Sequence, residues 1–370
     1  MSVIAVSVLA GCGGGGTTPA PPSALPTASA LTQELETIRA QYGLPAIVAV
    51  GARHDTQVFA ATGLRKIDAA GTATVADRWH LGSCTKAMTA TLLASAVEEK
   101  KLSWTTRPTD VFPSLAASIR PEFRTITLRQ LLQHRAGIPA YVTAESLSVV
   151  PPLQGTPRDQ RRAFALWQLT QAPAAVPGMY LYSNGGYAIA AAMAEETLGA
   201  AYETLLGQRL FTPLGITAGF GWPAKDDPNQ PWGHTSASGH YVPQDPTDPL
   251  QQLPPMGSPA GDVNMSISDY TKFIQMHLGG LRGQDGLLPA QAIQEMHTPT
   301  GDYAMGWQVI KPTLGYPVSL HTGSAGSFSC FVRIDPHADL ALAVITNAAG
   351  ESADMAIADI ATWLVGQMQR

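Results

Sequence analysis

The chain has 370 residues and is 45% hydrophobic but only 14% charged, against a charged fraction of about 25% in ordinary soluble domains. This composition can bury a sizeable core and fits a secreted globular protein. The net charge of −5 gives no reason to expect a nucleic acid as a partner. Length alone suggests about two domains.

The N-terminal segment carries signals for export and anchoring. Residues 2–10 form a short apolar run, and LAGC at 9–12 resembles the lipobox of bacterial lipoproteins. We therefore expect a signal peptide at 1–11, lipidation of Cys12 and a disordered tether at 12–30. The run lacks the usual preceding Lys or Arg, which a start codon assigned too late would explain; a plain secretory signal is the alternative.

Because the run is too short to span a membrane, membrane contact would come only through a lipid on Cys12. The expected location is the cell envelope, periplasmic and lipid-anchored, or the secreted fraction.

Elements near both ends of the remaining chain predict one folded unit. Residues 31–42 have helical character, 46–51 and 56–61 are strand-like, and a helix is expected at about 352–368. Strands near both termini would join one antiparallel sheet between these two helices.

The most informative local pattern is Ser83, followed three residues later by Lys86. Of the seven lysines, only Lys86 has a serine three residues before it, and the apolar run 87–97 predicts a buried helix. Residues i and i+3 share a helix face, so the amine could take the proton of a hydroxyl that is otherwise a poor nucleophile. Keeping a lysine neutral at pH 7 costs about 4.6 kcal/mol unless burial supplies the pKa shift. The plain alternative is a helix-capping serine with a lysine that reaches the surface.

A second polar group, Tyr182 and Asn184, lies between the turn Pro177-Gly178 and a helical run at 187–198. A short loop before a helix lets a rigid scaffold present polar side chains to a ligand. In the alternative interpretation, Asn184 caps the helix and Tyr182 packs in the core.

The third group is HTGS at 321–324, which follows a strand-like segment at 316–320 and precedes strands predicted at 328–334 and 340–347. A glycine such as Gly323, in a strand beside a pocket, allows a ligand to approach the backbone closely. The alternatives are an ordinary strand-end histidine and a simple glycine loop.

Together, the three groups resemble the motifs of the serine β-lactamase and penicillin-binding protein superfamily. The order and spacing agree, with 99 residues from Ser83 to Tyr182 and 139 from Tyr182 to His321. The branch that the chain resembles contains class C β-lactamases, soluble D-Ala-D-Ala carboxypeptidases and family VIII esterases. Further segments extend the resemblance over essentially all of 31–370: LLQHRAGIP at 131–139, PAGD at 259–262 and YAMGW at 303–307.

This resemblance implies an α/β (α+β) fold of the β-lactamase/transpeptidase type. Such a fold has an antiparallel sheet flanked by the N- and C-terminal helices, plus a mainly helical lobe. In this chain, one serine hydrolase domain would cover 31–370. Its α/β lobe would comprise 31–105 and 297–370, its helical lobe 106–296, and the active site would lie in the seam.

The resemblance also implies a role for each residue of the site. Ser83 would attack a carbonyl carbon and become acylated, while Lys86 and Tyr182 share the proton transfers. Two versions remain open. Either a neutral Lys86 takes the serine proton directly, or a charged Lys86 lowers the pKa of Tyr182 so that its phenolate does so. Asn184 would hydrogen-bond Lys86 and a substrate carbonyl.

The remaining roles concern the reacting oxygen and the leaving group. The oxyanion hole would consist of the backbone N–H groups of Ser83 and Ser324. His321, Thr322 and Gly323 would line the leaving side of the substrate, where a carboxylate often lies. The substrate would be a small molecule or a peptide, and the chemistry needs no metal or organic cofactor.

Two departures from the family pattern narrow the substrate. Class C β-lactamases have a lysine where this chain has His321, and a histidine is only partly charged at pH 7. They also place an amide-binding glutamine where this chain has Tyr141. Tyr141 would then line the substrate-binding cleft and make it broader and more apolar. We therefore expect a D-Ala-D-Ala carboxypeptidase-like or esterase activity. A class C-like β-lactamase and a non-catalytic lipoprotein that binds cell-wall peptides are the alternatives.

Other candidate chemistry is absent from the sequence. No Gly-x-Ser-x-Gly, His-Glu-x-x-His, P-loop or dinucleotide fingerprint occurs. The other eight histidines are interpreted as structural. Cys84 and Cys330 are expected to be small buried residues, with a disulfide between them as the weaker alternative.

Overall fold

The computed structural model describes residues 24–237, 239–249, 252–311 and 315–369. The predicted signal peptide and Cys12 lie outside the described residues, as does most of the predicted tether. Within those described ranges, no helix is both long and apolar enough to cross a membrane.

Twelve β-strands occur in the described residues, and they form three sheets. The strands are β1 (Ala46–Ala52), β2 (Gln57–Gly63), β3 (Arg78–His80), β4 (Ala218–Phe220), β5 (His234–Ala237), β6 (His240–Pro243), β7 (Val263–Ser266), β8 (Gln308–Ile310), β9 (Val318–Ser324), β10 (Ser329–Asp335), β11 (Leu340–Thr346) and β12 (Ala348–Ala349). The main sheet has six antiparallel strands in the order β2-β1-β11-β10-β9-β8. The smaller sheets are β12-β5-β6 and β3-β7-β4. The predicted antiparallel sheet, with strands from both ends of the chain, is confirmed.

Fourteen α-helices surround the sheets in the same part of the chain. They are α1 (Ala28–Gln41), α2 (Thr85–Glu98), α3 (Pro108–Val111), α4 (Leu128–Leu132), α5 (Ala144–Ser148), α6 (Pro157–Gln168), α7 (Asn184–Leu198), α8 (Tyr202–Leu206), α9 (Thr212–Leu214), α10 (Pro223–Asp226), α11 (Ser258–Gly261), α12 (Ile267–Leu281), α13 (Ala290–Met296) and α14 (Glu351–Met368). The segment 106–296 is mainly helical and also contributes the short strands β4 to β7.

Both faces of the main sheet are buried. Alternate residues of β1 belong to different apolar clusters: Ile47 and Ala49 pack with residues of α1 and α14, while Val48 and Val50 pack with residues of α2 and α12. Successive side chains of a strand point to opposite faces, so a strand covered on both faces must be apolar at every position. This explains the uninterrupted apolar sequence of β1.

The first helix begins earlier than predicted. The Thr27 hydroxyl accepts a hydrogen bond from the Ala30 N–H at 3.2 Å, and this cap starts α1 at Ala28 rather than at residue 31. Residues 28–30 therefore lie in the helix, although the sequence assigned them to the tether at 12–30. The helix predicted after Ser83 is confirmed, since all residues at 85–94 of α2 are buried.

Candidate active site

Ser83 lies just before α2, on a turn that requires glycine. Gly82 has φ +51°, a left-handed backbone conformation that residues with a Cβ rarely adopt. A Cβ on Gly82 would lie 2.5 Å from the backbone nitrogen of Ser324, and a Cβ on Gly323 would lie 3.1 Å from the nitrogen of Ser83. The two glycines therefore let this turn and β9 approach closely, which brings the two serine N–H groups near each other.

Lys86 is fully buried beside Ser83. Its Nζ atom lies 3.1 Å from Ser83 Oγ, 2.9 Å from Asn184 Oδ1 and 2.7 Å from the carbonyl oxygen of Ala260. Burial lowers the pKa of Lys86 well below its ordinary value, although the neighbouring Cys84 acts weakly in the opposite direction. No carboxylate in the described ranges adds to that opposing effect. The environment of Lys86 therefore favours the neutral amine.

The hydrogen-bond partners of Lys86 also match a neutral amine. A neutral amine has two N–H donors and one lone pair. The carbonyl oxygens of Asn184 and Ala260 can only accept, so they take the two donors. In the neutral state the lone pair is left for the hydroxyl hydrogen of Ser83, whereas in the ammonium state Nζ donates to Ser83 Oγ as well.

Tyr182 completes the contacts of Ser83 and is held as a phenol. Its hydroxyl donates to Ser83 Oγ at 2.8 Å, and burial raises the pKa of Tyr182 well above its ordinary value. Lys86 Nζ lies 4.7 Å from the centroid of the Tyr182 ring. On the other side, the ring packs on His134, with 4.3 Å between centroids, and burial keeps the pKa of His134 well below its ordinary value. A phenolate at this position would therefore be unfavourable.

Asn184 is oriented by backbone contacts. It is the first residue of α7 rather than a loop residue before the helix, because Ser183 caps the helix by accepting from the Gly186 N–H at 3.0 Å. The Asn184 side-chain NH₂ group donates to the Tyr141 carbonyl oxygen at 3.1 Å. This contact turns Oδ1 toward Lys86.

His321 lies within β9, and its side chain faces the interior, with 4% exposure. Its Nδ1 atom lies 2.6 Å from the Thr322 carbonyl oxygen, which can only accept, so Nδ1 carries a hydrogen. Its Nε2 atom lies 2.7 Å from the Tyr303 hydroxyl. Both ring nitrogens are thus bonded within the protein. Thr322 and Ser324 are exposed, and Gly323 between them is buried.

The prediction that Tyr141 lines the cleft is wrong for its side chain. Tyr141 is 4% exposed, its hydroxyl donates to Gln168, and its ring packs against Phe164 at 5.3 Å between centroids. Its φ of +51° turns the side chain into the core. Only the Tyr141 carbonyl oxygen reaches the site, through Asn184.

Three contributors to the site were not predicted from the sequence: the Ala260 carbonyl, Tyr303 and His134. All three lie in family-like segments, at 259–262, 303–307 and 131–139, so their position carried a signal although their role did not. A backbone carbonyl has no residue-type signature, and His134 was interpreted as structural.

Two further expectations can be compared with the structure. Cys84 and Cys330 are buried and free, so the prediction of small buried residues is confirmed and the alternative disulfide is not formed. In the part of the chain that the structure describes, no group of three or more His, Cys, Asp or Glu side chains is placed to hold a metal ion.

Comparison with known proteins gives a consistent result. A family model described as "Beta-lactamase" matches residues 31–367. Penicillin-binding protein 4 of Amycolatopsis lactamdurans is 26% identical over 304 residues, 78% of this chain and 76% of that protein. A β-lactamase of Escherichia coli strain K12 is 24% identical over 306 residues, 73% of this chain and 75% of that protein. The octameric penicillin-binding protein homologue from Pyrococcus abyssi has the same fold, with a TM-score of 0.74 and 23% identity over 92% of this chain and 77% of the other. The chain therefore belongs to the β-lactamase family, which includes penicillin-binding proteins among its members.

Proposed function

We propose that this protein is a serine hydrolase that works through an acyl-enzyme on Ser83, with a D-Ala-D-Ala carboxypeptidase-like or esterase activity. The observation that carries the proposal is the position of Ser83 Oγ, 3.1 Å from Lys86 Nζ and 2.8 Å from the Tyr182 hydroxyl. A serine hydroxyl with a base on one side and a proton donor on the other is an activated nucleophile.

In the acylation half-reaction, Lys86 takes the Ser83 proton while Oγ forms a bond to the substrate carbonyl carbon. The electron pair of the carbonyl double bond moves to its oxygen, where the N–H groups of Ser83 and Ser324 stabilise the negative charge. Collapse of this intermediate breaks the bond to the leaving group, which takes a proton from the Lys86–Tyr182 pair. An acyl ester on Ser83 remains.

In the deacylation half-reaction, water attacks this ester and gives a proton to the same pair. Ser83 Oγ then leaves and recovers its hydrogen. Of the two versions of the base, the pKa shifts support Lys86, because burial lowers the pKa of the amine and raises that of the Tyr182 phenol. Tyr182 then serves as the proton donor.

The residues expected on the leaving side of the substrate, His321 to Gly323, support a peptidase or esterase. The alternative is a class C-like β-lactamase. His321 uses both ring nitrogens within the protein, so neither nitrogen is free to donate a hydrogen bond to a substrate carboxylate. The exposed Thr322 can still donate a hydrogen bond to one. The argument for a broad apolar cleft is withdrawn, because the Tyr141 side chain lies in the core.

Two assays test this proposal. Labelling with a fluorophosphonate or a fluorescent penicillin should modify the wild type but not Ser83→Ala. Turnover of p-nitrophenyl butyrate, nitrocefin and a D-Ala-D-Ala peptide, measured side by side, then ranks the substrate classes. Nitrocefin as much the best substrate would favour the β-lactamase alternative. An unlabelled wild type that still binds cell-wall peptides would instead support the non-catalytic lipoprotein.

We also propose that the protein is exported and held at the cell envelope by a lipid on Cys12. The lipobox-like sequence at 9–12 supports this. The wild type should enter the detergent phase in a detergent partition experiment, and Cys12→Ala should enter the aqueous phase. Equal partition of both into the aqueous phase would favour a plain secretory signal.

A further inference from the structure

A buried histidine lies directly behind the Ser83 turn. His80 is the last residue of β3 and is 1% exposed, and its Nδ1 atom lies 3.1 Å from the backbone nitrogen of Gly82. A backbone N–H can only donate, so Nδ1 must be unprotonated to accept it. The hydrogen of the neutral imidazole then lies on Nε2.

The Nε2 atom of His80 faces the carboxylate of Asp262, at 3.5 Å from Oδ1. This distance is longer than an ordinary N–H···O hydrogen bond of about 2.7–3.2 Å, yet neither atom has another hydrogen-bond partner among the described residues. The second carboxylate oxygen, Oδ2, accepts from the Ser258 hydroxyl at 3.0 Å. A buried donor and a buried acceptor thus meet only each other. Their contact favours the His80 tautomer that leaves Nδ1 free for Gly82.

The surroundings restrict this pair to one arrangement. The His80 ring lies 5.8 Å from the Trp222 ring and 6.1 Å from the Phe328 ring, centroid to centroid. Asp262 directly follows α11, the helix whose Ala260 carbonyl accepts from Lys86. The His80–Asp262 pair therefore links the helix that holds the base to the turn that carries the nucleophile.

We propose that His80 and Asp262 are positioning residues for the oxyanion hole, a role that rests on the proposed acyl-enzyme function. Asp262 selects the His80 tautomer, and His80 Nδ1 holds the Gly82 N–H. This contact keeps Gly82 in its left-handed conformation and thereby fixes the direction of the next N–H, that of Ser83. Neither side chain touches the substrate. Both act through the backbone that does.

The expected effect follows from the geometry of the turn. Without an acceptor at Nδ1, the Gly82 N–H must turn toward another partner, and the peptide that carries the Ser83 N–H turns with it. A misplacement of about 1 Å at a reacting centre can cost about 10²-fold in rate. Loss of one oxyanion donor costs about 10²–10³-fold. We therefore expect a loss of about 30- to 100-fold in kcat, with KM changed less than about threefold.

Two isosteric substitutions separate the two nitrogens of His80. His80→Asn places an amide oxygen near the position of Nδ1 and can still accept from Gly82. His80→Gln places its amide near the position of Nε2, so it can contact Asp262 but not Gly82. Asp262→Ala leaves His80 in place and removes the selection of its tautomer. The readouts are the rate constant of fluorophosphonate labelling of Ser83, and kcat and KM for p-nitrophenyl butyrate.

His234 provides a matched control. It is also a buried histidine that accepts from a backbone N–H, that of Ile67 at 3.1 Å through Nε2. His234→Asn removes that acceptor, so it should lower Tm while labelling and turnover stay within about threefold of the wild type.

The proposal expects His80→Asn to label at nearly the wild-type rate, His80→Gln about 30- to 100-fold more slowly, and Asp262→Ala about 10-fold more slowly. Equal rates for His80→Asn and His80→Gln, relative to their folded fractions, would overturn it. If His80→Gln does not fold, Asp262→Ala decides, and a wild-type rate in that variant overturns the positioning role. A wild type that neither labels nor turns over any ester or peptide would remove the proposed function itself, and this inference with it.

Discussion

Removing the amine of Lys86 and the hydroxyl of Tyr182, singly and together, tests whether the two groups act as one proton relay. Lys86→Met keeps most of the volume of a fully buried side chain, and Tyr182→Phe removes one oxygen atom only. The first change takes away the base at 3.1 Å from Ser83 Oγ, and the second takes away the donor at 2.8 Å. Both groups contact the same oxygen, so each is useful only while the other is present.

The size of the effect follows from this shared oxygen. Each single substitution should lower turnover by at least 10³-fold, about 4 kcal/mol of transition-state stabilisation. Independent contributions would multiply to about 10⁶-fold in the double variant, about 8 kcal/mol. For a relay on a single oxygen, we expect the double variant to be within about tenfold of the slower single variant.

The assay is kcat/KM for p-nitrophenyl butyrate in the wild type and the three variants, with Tm as a control for folding. The Asn184 and Ala260 carbonyl oxygens lose a donor in Lys86→Met, so the Tm of this variant is needed to separate loss of folded protein from loss of the base. Losses that multiply in the double variant would refute the shared relay. A Tyr182→Phe variant with more than a tenth of the wild-type rate would refute the role of the phenol.

Three further predictions concern His321 on the leaving side of the site, His277 in the core and Gly82 in the turn before Ser83. His321→Lys should raise kcat/KM for nitrocefin relative to p-nitrophenyl butyrate by about 5- to 30-fold, in a salt-sensitive way; an equal change for both would show that this position does not reach the carboxylate. Burial lowers the pKa of His277 to about 3, so the unfolded chain takes up its proton first as the pH falls below about 6.5. The contribution of His277 to the free energy of unfolding is complete above pH 6.5 and should be smaller by about 2 kcal/mol at pH 5. Urea unfolding at both pH values should show this loss in the wild type and a smaller loss in His277→Gln. Gly82→Ala should cost at least about 10²-fold in turnover, because its Cβ would meet Ser324. Gly326→Ala, which has a positive φ but no atom within 4 Å of its Cβ, is the control for backbone strain alone.

The sequence predicted those parts of the fold and site that depend on local periodicity. Ser83 and Lys86 are three residues apart, so any helix through them places both on one face, and the structure brings Oγ and Nζ to 3.1 Å. The central strands β1 and β11 of the main sheet were predictable because burial on both faces requires continuous apolar runs, here 46–52 and 340–346.

What the sequence did not predict depends on contacts between distant segments. The side chain of Tyr141 turns into the core because of a positive φ and a hydrogen bond to Gln168, 27 residues away. Residue type alone does not reveal either feature. The same holds for Ala260, whose carbonyl oxygen accepts from Lys86 across 174 residues of sequence. Family patterns located these segments, but only the folded chain shows which backbone atom reaches the amine.

The neutral state of Lys86 connects the fold to the proposed chemistry. α2 is apolar nearly all round, so the amine at 86 is removed from water, and burial lowers its pKa well below the ordinary value. In solution, deprotonating a lysine at pH 7 costs about 4.6 kcal/mol, and burial reduces this cost. The Asn184 and Ala260 oxygens that accept from the neutral amine are equally well placed to accept from the ammonium. Proton transfer therefore creates the positive charge among oriented dipoles, at the moment when the oxyanion forms near the Ser83 and Ser324 N–H groups. Since His134 beneath the Tyr182 ring stays neutral, it does not oppose that new charge. A carboxylate beside Lys86 would make the amine a permanent cation and a poor base, so the absence of one in the described residues around it is what the proposed mechanism requires.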